Sequence, residues 1–205
     1  MIEPLGGWAN AWPLAAGFLI AYLIGAIPFG LILAHISGAG DIRKIGSGNI
    51  GATNVLRTGR KGIAASTLLL DICKGFLAVW LGWRYGGPDM AVLAAYGALL
   101  GHCFPIWLKF KGGKGVATFL GAVTGLAWMF GLVAAIAWVA SAALFRISSV
   151  AGLLLTAAAS LTAFILGDQQ LFEATLSMAV LVWLRHTSNI LRLLKGDEPK
   201  IGKSV

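Results

Sequence analysis

Long apolar runs constrain this sequence more than any other feature. A helix needs about 20 apolar residues to cross a bilayer core. Only 12% of the residues are charged and 58% are hydrophobic, whereas soluble domains have roughly 25% charged residues. We therefore predict an all-α, polytopic membrane protein that forms one domain over 1–205. The apolar runs lie at 14–34, 62–83, 90–108, 116–144, 147–167 and 171–184.

Two of these runs contain a predicted break. Pro28 lies within the first run and predicts a kink. The run 116–144 would be about 44 Å long as a single helix, well above the ~30 Å of the hydrocarbon core. Two short helices that turn near 128–131 fit the bilayer better. The sequence thus predicts about seven membrane helices.

The cations indicate the orientation. The formal charge is +8, and the positive residues concentrate in 35–61, 109–115 and the segment from Arg185 to Lys203. Basic loops of membrane proteins usually face the cytoplasm. Seven crossings place all three segments there, with the amino terminus outside and the carboxyl terminus inside. No RNA- or DNA-binding pattern accompanies the charge, so we expect membrane lipids as neighbours and no nucleic acid.

The segment 46–57 reads GSGNIGATNVLR and is the main polar motif. Glycine exposes its backbone amides, and Arg57 adds a cation. This inventory suits an anion with several oxygens, although a flexible, solvated turn would show the same composition. The G-x-G-x-x-G spacing does not indicate a dinucleotide site, because no βαβ unit surrounds it. The hydroxyls and amides belong to Ser47, Asn49, Thr53 and Asn54.

Two further segments can contribute to an anion site. Lys114 lies in a glycine-rich loop at the predicted start of a helix, where free N–H groups favour anions. His186 and Asn189 are spaced i, i+3 and share a helix face, which Arg192 continues. All of these groups belong to predicted cytoplasmic segments, so we expect them to converge.

Buried polar residues in the spans allow a structural or a functional interpretation. Asp71 and Lys74 are one helical turn apart, and a structural ion pair is favoured over direct catalysis. His102 lies near the cytoplasmic end of the third span, where either interpretation is open. No Cys/His cluster or pair of loop carboxylates suggests a metal. We expect chemistry without metal or cofactor, based on cations and hydrogen-bond donors.

Four segments together carry a resemblance to a known family. They are GSGNIGATNVLR, the D-x-x-K-G at 71–75, GHCFPIWLKFKGGKGVAT and RHTSNILRLLKGDE. Their order and spacing resemble the bacterial acyl-phosphate:glycerol-3-phosphate acyltransferases, the PlsY family, over nearly the whole chain. In RISSVAG at 146–152, Ser149 fits the family pattern, while Gly152 stands where a second serine is often found.

The resemblance implies a seven-helix enzyme of the bacterial inner membrane with a cytoplasmic active site. It implies transfer of a fatty acyl group from acyl phosphate to the 1-hydroxyl of glycerol 3-phosphate, the first acylation of phospholipid synthesis. The products are lysophosphatidic acid and phosphate. A soluble acyl-phosphate synthase is a possible partner.

The residues take specific roles in this hypothesis. The donor phosphate would contact the 46–57 motif, through Ser47, Gly48, Asn49, Thr53 and Asn54. Glycerol 3-phosphate would be held by Arg57, Lys114, Ser149, His186 and Asn189. His102 would orient or polarise the acyl carbonyl. The residues expected to act directly in catalysis are Ser47, Arg57, His102, Lys114, His186 and Asn189.

Two other classes of protein stay open at this stage. A transporter of an organic phosphate would use the same cations, although transporters usually show related halves and polar groups at mid-depth. A non-catalytic membrane scaffold would need no site at all. Detection of the acylated product separates an enzyme from both.

Overall fold

The computed structural model describes residues 11–201, which form α-helices and contain no β-strand. The predicted all-α class is confirmed. The predicted outward position of the amino terminus concerns residues 1–10, outside the described range. The helices are α1 Trp12–Gly25, α2 Phe29–Ile36, α3 Ala52–Leu56, α4 Lys61–Cys103, α5 Val116–Leu126, α6 Trp128–Phe145, α7 Ser148–Ile165, α8 Gln169–Arg185 and α9 Thr187–Lys195, with short 3₁₀ turns at Ile42–Lys44 and Ile106–Leu108.

The long helix α4 is a hairpin of two antiparallel arms. Its backbone leaves the helical conformation at Gly87, where φ is 71° and ψ is −162°, and Pro88 follows. A Cβ at Gly82 would lie only 2.7 Å from Ala91 Cα, so the two arms touch beside the turn. This turn lies within the short connection predicted between the second and third apolar runs.

A helix break replaces the predicted kink at Pro28. α1 ends at Gly25, and α2 begins at Phe29. The break leaves backbone carbonyls without helical partners. Trp107 Nε1 donates to Ala26 O at 2.8 Å, and Lys74 Nζ donates to Ile27 O at 2.9 Å.

The run 116–144 is divided into two helices, as predicted. Ala127 adopts an extended conformation, with φ −153° and ψ 116°, between α5 and α6. The break lies one residue before the predicted turn at 128–131. Trp83 Nε1 donates to Gly125 O at 3.1 Å and satisfies one of the carbonyls at the end of α5.

Within residues 11–201, four stretches are long and apolar enough to cross a bilayer by length and composition. The second of them contains both arms of α4, so it can supply two crossings. α5, with 11 residues, is short for a full crossing, and α8, with 17, is at the lower limit of about 17 residues. The seven crossings therefore stay a prediction. The four stretches are Trp12–Ile36, Lys61–Leu108, Trp128–Phe145 and Ser148–Ile165.

The segment 35–60, predicted as a polar loop, contains ordered structure. Asp41 caps the 3₁₀ turn by accepting from Arg43 N at 3.0 Å. Ile42 and Val55 are fully buried in a small apolar cluster with Ala34. The segment is ordered because these few apolar side chains pack against the flanking helices. The polar composition of the segment did not reveal this packing.

Close packing of α1, α4 and α5 depends on glycine. A Cβ at Gly25 would overlap Ala98 O, and a Cβ at Gly101 would overlap Tyr22 O. A Cβ at Gly121 would likewise overlap Ile72 O. Such contacts are typical of membrane helices, which associate through small residues that let their backbones approach.

Gly25→Ala should destabilise the protein, because the added methyl group meets a backbone atom that cannot rotate away. We expect a loss of about 1–3 kcal/mol, typical of overpacking, seen as a lower apparent melting temperature in detergent. Gly62→Ala is the matched control, since nothing lies within 4 Å of its Cβ position. Equal melting temperatures for the two variants would contradict the packing argument.

Candidate functional site

A cavity of about 350 Å³ lies where four parts of the chain meet. They are the 46–57 motif, the loop 112–115, the start of α7 and the junction of α8 with α9. The cavity wall includes every sequence-predicted site residue except Gly48. These residues are Ser47, Asn49, Thr53, Asn54, Arg57, His102, Lys114, Ser149, His186 and Asn189.

Asn54 holds the 46–57 motif in shape. It is 1% exposed, and its Nδ2 donates to Ile42 O at 2.7 Å. Its Oδ1 accepts from the backbone N–H of Ser47 at 3.2 Å. Gly48 lies outside the cavity wall, and its N–H donates to Ile45 O at 3.0 Å. Asn54 and Gly48, both predicted to contact the donor phosphate, therefore form hydrogen bonds within the protein. Asn54 stabilises the conformation of the motif.

Other groups of the motif face the cavity. Ser47 is exposed and Asn49 is half-buried. Thr53 Oγ1 lies 3.2 Å from Ser148 Oγ at the start of α7. Arg57 crosses the turn at Gly46, where a Cβ would lie 2.6 Å from its Nη1. The motif thus presents hydroxyl, amide and guanidinium groups to one space.

The loop that carries Lys114 is folded against the end of α4. Gly112 N donates to Cys103 O at 3.1 Å, and Gly113 N donates to His102 O at 3.0 Å. A Cβ at Gly113 would overlap the His102 ring, so only glycine fits there. This packing places Lys114 at the entrance of α5, beside the cavity.

Lys114 reaches across the cavity to the α9 wall. Its Nζ donates to Asn189 Oδ1 at 2.6 Å. Burial lowers the pKa of Lys114 from 10.5 to about 8, an effect that nearby cations including Arg57 increase and Glu198 opposes. The Lys114 ammonium is thus a poorly hydrated cation among other cations, an arrangement that an anionic ligand would stabilise.

His186 lies at the α8–α9 junction and is 3% exposed. The sequence spacing predicted that His186 and Asn189 share a face of one continuous helix. In the structure His186 instead lies between α8 and α9, and Asn189 lies in the first turn of α9. His186 Nδ1 is 2.8 Å from Val182 O, which assigns the proton to Nδ1 and leaves Nε2 as an acceptor. Burial lowers the pKa of His186 to about 4. The side chain is therefore neutral near pH 7.

Glu198 is a residue of the site that the sequence reasoning missed. Its Oε1 accepts from Ser149 Oγ at 2.7 Å and from Asn189 Nδ2, and its Oε2 accepts from Arg192 Nε at 2.7 Å. Partial burial acts to raise the pKa of Glu198, but these hydrogen bonds outweigh it and lower the pKa. The available signal was a carboxylate within the basic segment RLLKGDEPK.

Asp71 lines the cavity and forms an ion pair with the buried Lys74. The two charged groups are 2.6 Å apart, and both side chains are 3–4% exposed. Lys74 also supports the break between α1 and α2. The predicted ion pair is present, and its structural rather than catalytic role stays a prediction. His102 Nδ1 is 3.7 Å from Asp71 Oδ1. Asp71 and His102 both contribute to the cavity wall.

Fold and site together define an integral membrane protein with a cation-rich pocket at one end of its helices. A family model described as glycerol-3-phosphate acyltransferase matches residues 15–196. The chain therefore belongs to the glycerol-3-phosphate acyltransferase family. It is an acyltransferase, which favours an enzyme over the transporter and the scaffold.

Individual relatives agree with this family. The chain is 54% identical over 186 residues to the glycerol-3-phosphate acyltransferase of Jannaschia sp. (strain CCS1), covering 91% of this chain and 92% of the relative. The corresponding protein of Caulobacter vibrioides (strain NA1000 / CB15N) is 58% identical over 188 residues, with 89% and 85% covered.

Solved structures of one acyltransferase have the same fold. The glycerol 3-phosphate form of PlsY (YgiH), an integral membrane glycerol 3-phosphate acyltransferase, superposes with a TM-score of 0.88 at 34% identity. Its lysophosphatidic acid form gives 0.84 at 32% identity. Each comparison covers 93% of this chain and 96% of the other.

The neutral state of His186 makes stability depend on pH. Between pH 6.5 and 4 an unfolded histidine binds a proton that folded His186 does not, so stability falls as pH falls through this window. His186→Gln removes this titration. We expect the apparent melting temperature of the unmodified protein to fall more between pH 6.5 and 4.5 than that of the variant. Equal pH dependence would contradict the assignment.

Proposed function

We propose that this protein transfers a fatty acyl group from acyl phosphate to the 1-hydroxyl of glycerol 3-phosphate. The hydroxyl oxygen forms an ester bond with the acyl carbon, and the bond from that carbon to the phosphate oxygen breaks. The products are lysophosphatidic acid and inorganic phosphate. The observation that carries the proposal is the meeting of Arg57, Lys114, His186 and Asn189 around one cavity in a chain of this family.

The acceptor is assigned to the side of the cavity formed by Lys114 and the α9 wall. Arg57 and Lys114 supply positive charge for its phosphate. Asn189 can donate the second N–H of its Nδ2, while Ser149 would donate by exchanging Glu198 for the ligand. His186 is neutral and offers Nε2 as an acceptor for a hydroxyl of the glycerol. This combination of cations and an acceptor suits a phosphate ester that also carries free hydroxyls.

The donor phosphate is assigned to the 46–57 motif. Ser47, Asn49 and Thr53 present polar side chains to the cavity, while Asn54 and the Gly48 amide hold the motif through internal bonds. His102 would polarise the acyl carbonyl from the inner end. An acyl phosphate is an activated anhydride whose phosphate leaves readily, so the site mainly has to align the substrates and stabilise the oxyanion.

The fatty chain is assigned to an apolar side of the same cavity. Leu68 of α4, Val116 of α5 and Trp138 of α6 line the cavity together with its polar groups. Leu68 is 39% exposed on the outer surface of the helices. We assign this side as the path by which the acyl chain passes from the reacting carbonyl into the bilayer.

The site is assigned to the cytoplasmic side of the bacterial inner membrane. Its four parts follow α2, the second arm of α4, α6 and α8, which are alternate connections if successive helices reverse direction. This pattern fits seven crossings. Basic loops at this end favour the cytoplasm. A soluble acyl-phosphate synthase is the proposed source of the donor, since such a donor would form in the aqueous phase beside this face.

Purified protein should convert palmitoyl phosphate and glycerol 3-phosphate into lysophosphatidic acid and phosphate, whereas palmitoyl-CoA should not replace the donor. Arg57→Ala and Lys114→Ala should each lower kcat/KM for glycerol 3-phosphate about 100-fold or more, because each removes a partly buried charge partner of the phosphate. Both products are measured by mass spectrometry and phosphate release.

Lys111→Ala is the matched control for these variants. Lys111 lies three residues before Lys114, is exposed, and does not line the cavity. Its removal should change kcat/KM less than about two-fold, as expected for a solvated surface charge. Full activity in Lys114→Ala, or turnover with palmitoyl-CoA alone, would overturn the proposed reaction.

The pKa of Lys114 predicts an alkaline limit to acceptor binding. Above pH 8 the free enzyme loses the ammonium charge, while the acceptor phosphate remains a dianion because its second pKa is about 6. Therefore kcat/KM for glycerol 3-phosphate should fall, approaching ten-fold per pH unit. Lys114→Arg should move this limit upward, since arginine stays charged. A constant kcat/KM from pH 7.5 to 9.5 would contradict the role of Lys114.

A further inference from the structure

Arg185 is a cation next to the site whose guanidinium does not line the cavity. Its Nε donates to Gly113 O at 3.2 Å, and its Nη2 donates to Gly112 O at 3.1 Å. The guanidinium also lies over the Phe104 ring, with 5.1 Å between Arg185 Cζ and the ring centroid. Its planar fork is thus directed at two consecutive carbonyls of the loop that carries Lys114.

The loop depends on such external contacts. The N–H groups of Gly112 and Gly113 donate to carbonyls at the end of α4, and Arg185 binds the carbonyl groups of the same two residues. Just before it, Lys109 and Phe110 adopt left-handed conformations, with φ of 52° and 61°. Non-glycine residues reach this region only at an energetic cost and persist there when surrounding structure imposes it.

The α8–α9 junction contacts both the backbone just before Lys114 and the ammonium group of its side chain. Arg185 is the last residue of α8 and fixes the backbone immediately before Lys114. Asn189, four residues later, accepts a hydrogen bond from Lys114 Nζ. The position of the Lys114 ammonium therefore depends on the hydrogen bonds between the α8–α9 junction and the loop 112–115.

We propose that Arg185 is a positioning residue for Lys114. By binding Gly112 O and Gly113 O it fixes the loop, so that the Lys114 ammonium stays at the acceptor phosphate. Lysine cannot fully replace it, because an ammonium lacks the planar fork that meets both carbonyls. The inference rests on the proposed function, since it assigns to Lys114 the binding of glycerol 3-phosphate.

Arg185→Gln and Arg185→Lys test this role with steady-state kinetics and with calorimetric titration of glycerol 3-phosphate. Arg185→Gln should raise both the KM and the Kd for glycerol 3-phosphate about 10-fold, as expected on loss of two hydrogen bonds from a charged donor. Arg185→Lys should have an intermediate effect. The KM for palmitoyl phosphate should change less than about two-fold. Arg84→Gln is the control, because Arg84 is exposed, stacks on Tyr85 and lies near the α4 turn.

A double-mutant cycle with Lys114→Ala gives the decisive measurement. If Arg185 acts through Lys114, Arg185→Gln should raise the Kd for glycerol 3-phosphate less than about two-fold once Lys114 is removed. Additive effects, or equal increases in KM for both substrates, would overturn the inference. The cycle is run with Arg185→Lys if the melting temperature shows that Arg185→Gln does not fold.

The outcomes separate this inference from the proposed function. If Lys114→Ala leaves the Kd for glycerol 3-phosphate unchanged, the acceptor assignment fails. If Lys114→Ala weakens binding while both Arg185 variants bind normally, only the positioning role of Arg185 fails.

Discussion

Backbone contact between helices at glycine positions is the constraint on which the site depends. Gly25, Gly101 and Gly121 bring α1 and α5 against α4 so closely that no side chain fits between them. In a bilayer, where lipid tails compete equally for apolar side chains, this fit provides much of the helix association. It also fixes the register of the helix ends. His102 consequently lies beside Asp71, and α5 begins where Lys114 can face the α9 wall.

The positive charges around the cavity determine which ligands it can bind. Lys114 lies among Arg57, Arg185 and Arg192, and their charges lower its pKa beyond the effect of burial. Glu198 offsets part of this repulsion while its oxygens bind Ser149, Asn189 and Arg192. One carboxylate does not balance four cations. The cavity therefore favours an anionic ligand, and the binding of a phosphate dianion relieves the repulsion that the empty arrangement contains.

Local sequence signals predicted the helices well. Apolar run length located the break at Ala127 to within one residue, and Pro28 marked the break between α1 and α2. Both breaks arise from properties of a short segment. The ordered structure in 35–60 was not predicted, because it depends on the packing of Ile42 and Val55 against apolar residues of the two flanking helices, α2 and α4.

The site was predictable where residues offer unusual groups and not where they act through distant partners. Lys114, His186 and Asn189 stood out as polar residues at the ends of apolar runs. Arg185 resembles any cation beside a membrane span, and its role appears only when the glycine loop, 72 residues earlier in the chain, is placed next to it. Asn54 was correctly seen as part of the motif, but its role in stabilising the motif depends on Ile42 O.

The proton balance of the proposed reaction follows from the same contacts. The attacking hydroxyl must lose a proton, and the carboxylates nearest the cavity are already engaged. Asp71 is paired with Lys74, and Glu198 accepts three hydrogen bonds that lower its pKa. His186, with a pKa of about 4, is a weak base at neutral pH. A phosphate oxygen of a substrate is available instead, and the second pKa of a phosphate monoester such as the acceptor is near 6, above the pKa of His186. In the proposed reaction the protein aligns the substrates and balances their charge, and the proton passes to a phosphate oxygen of a substrate.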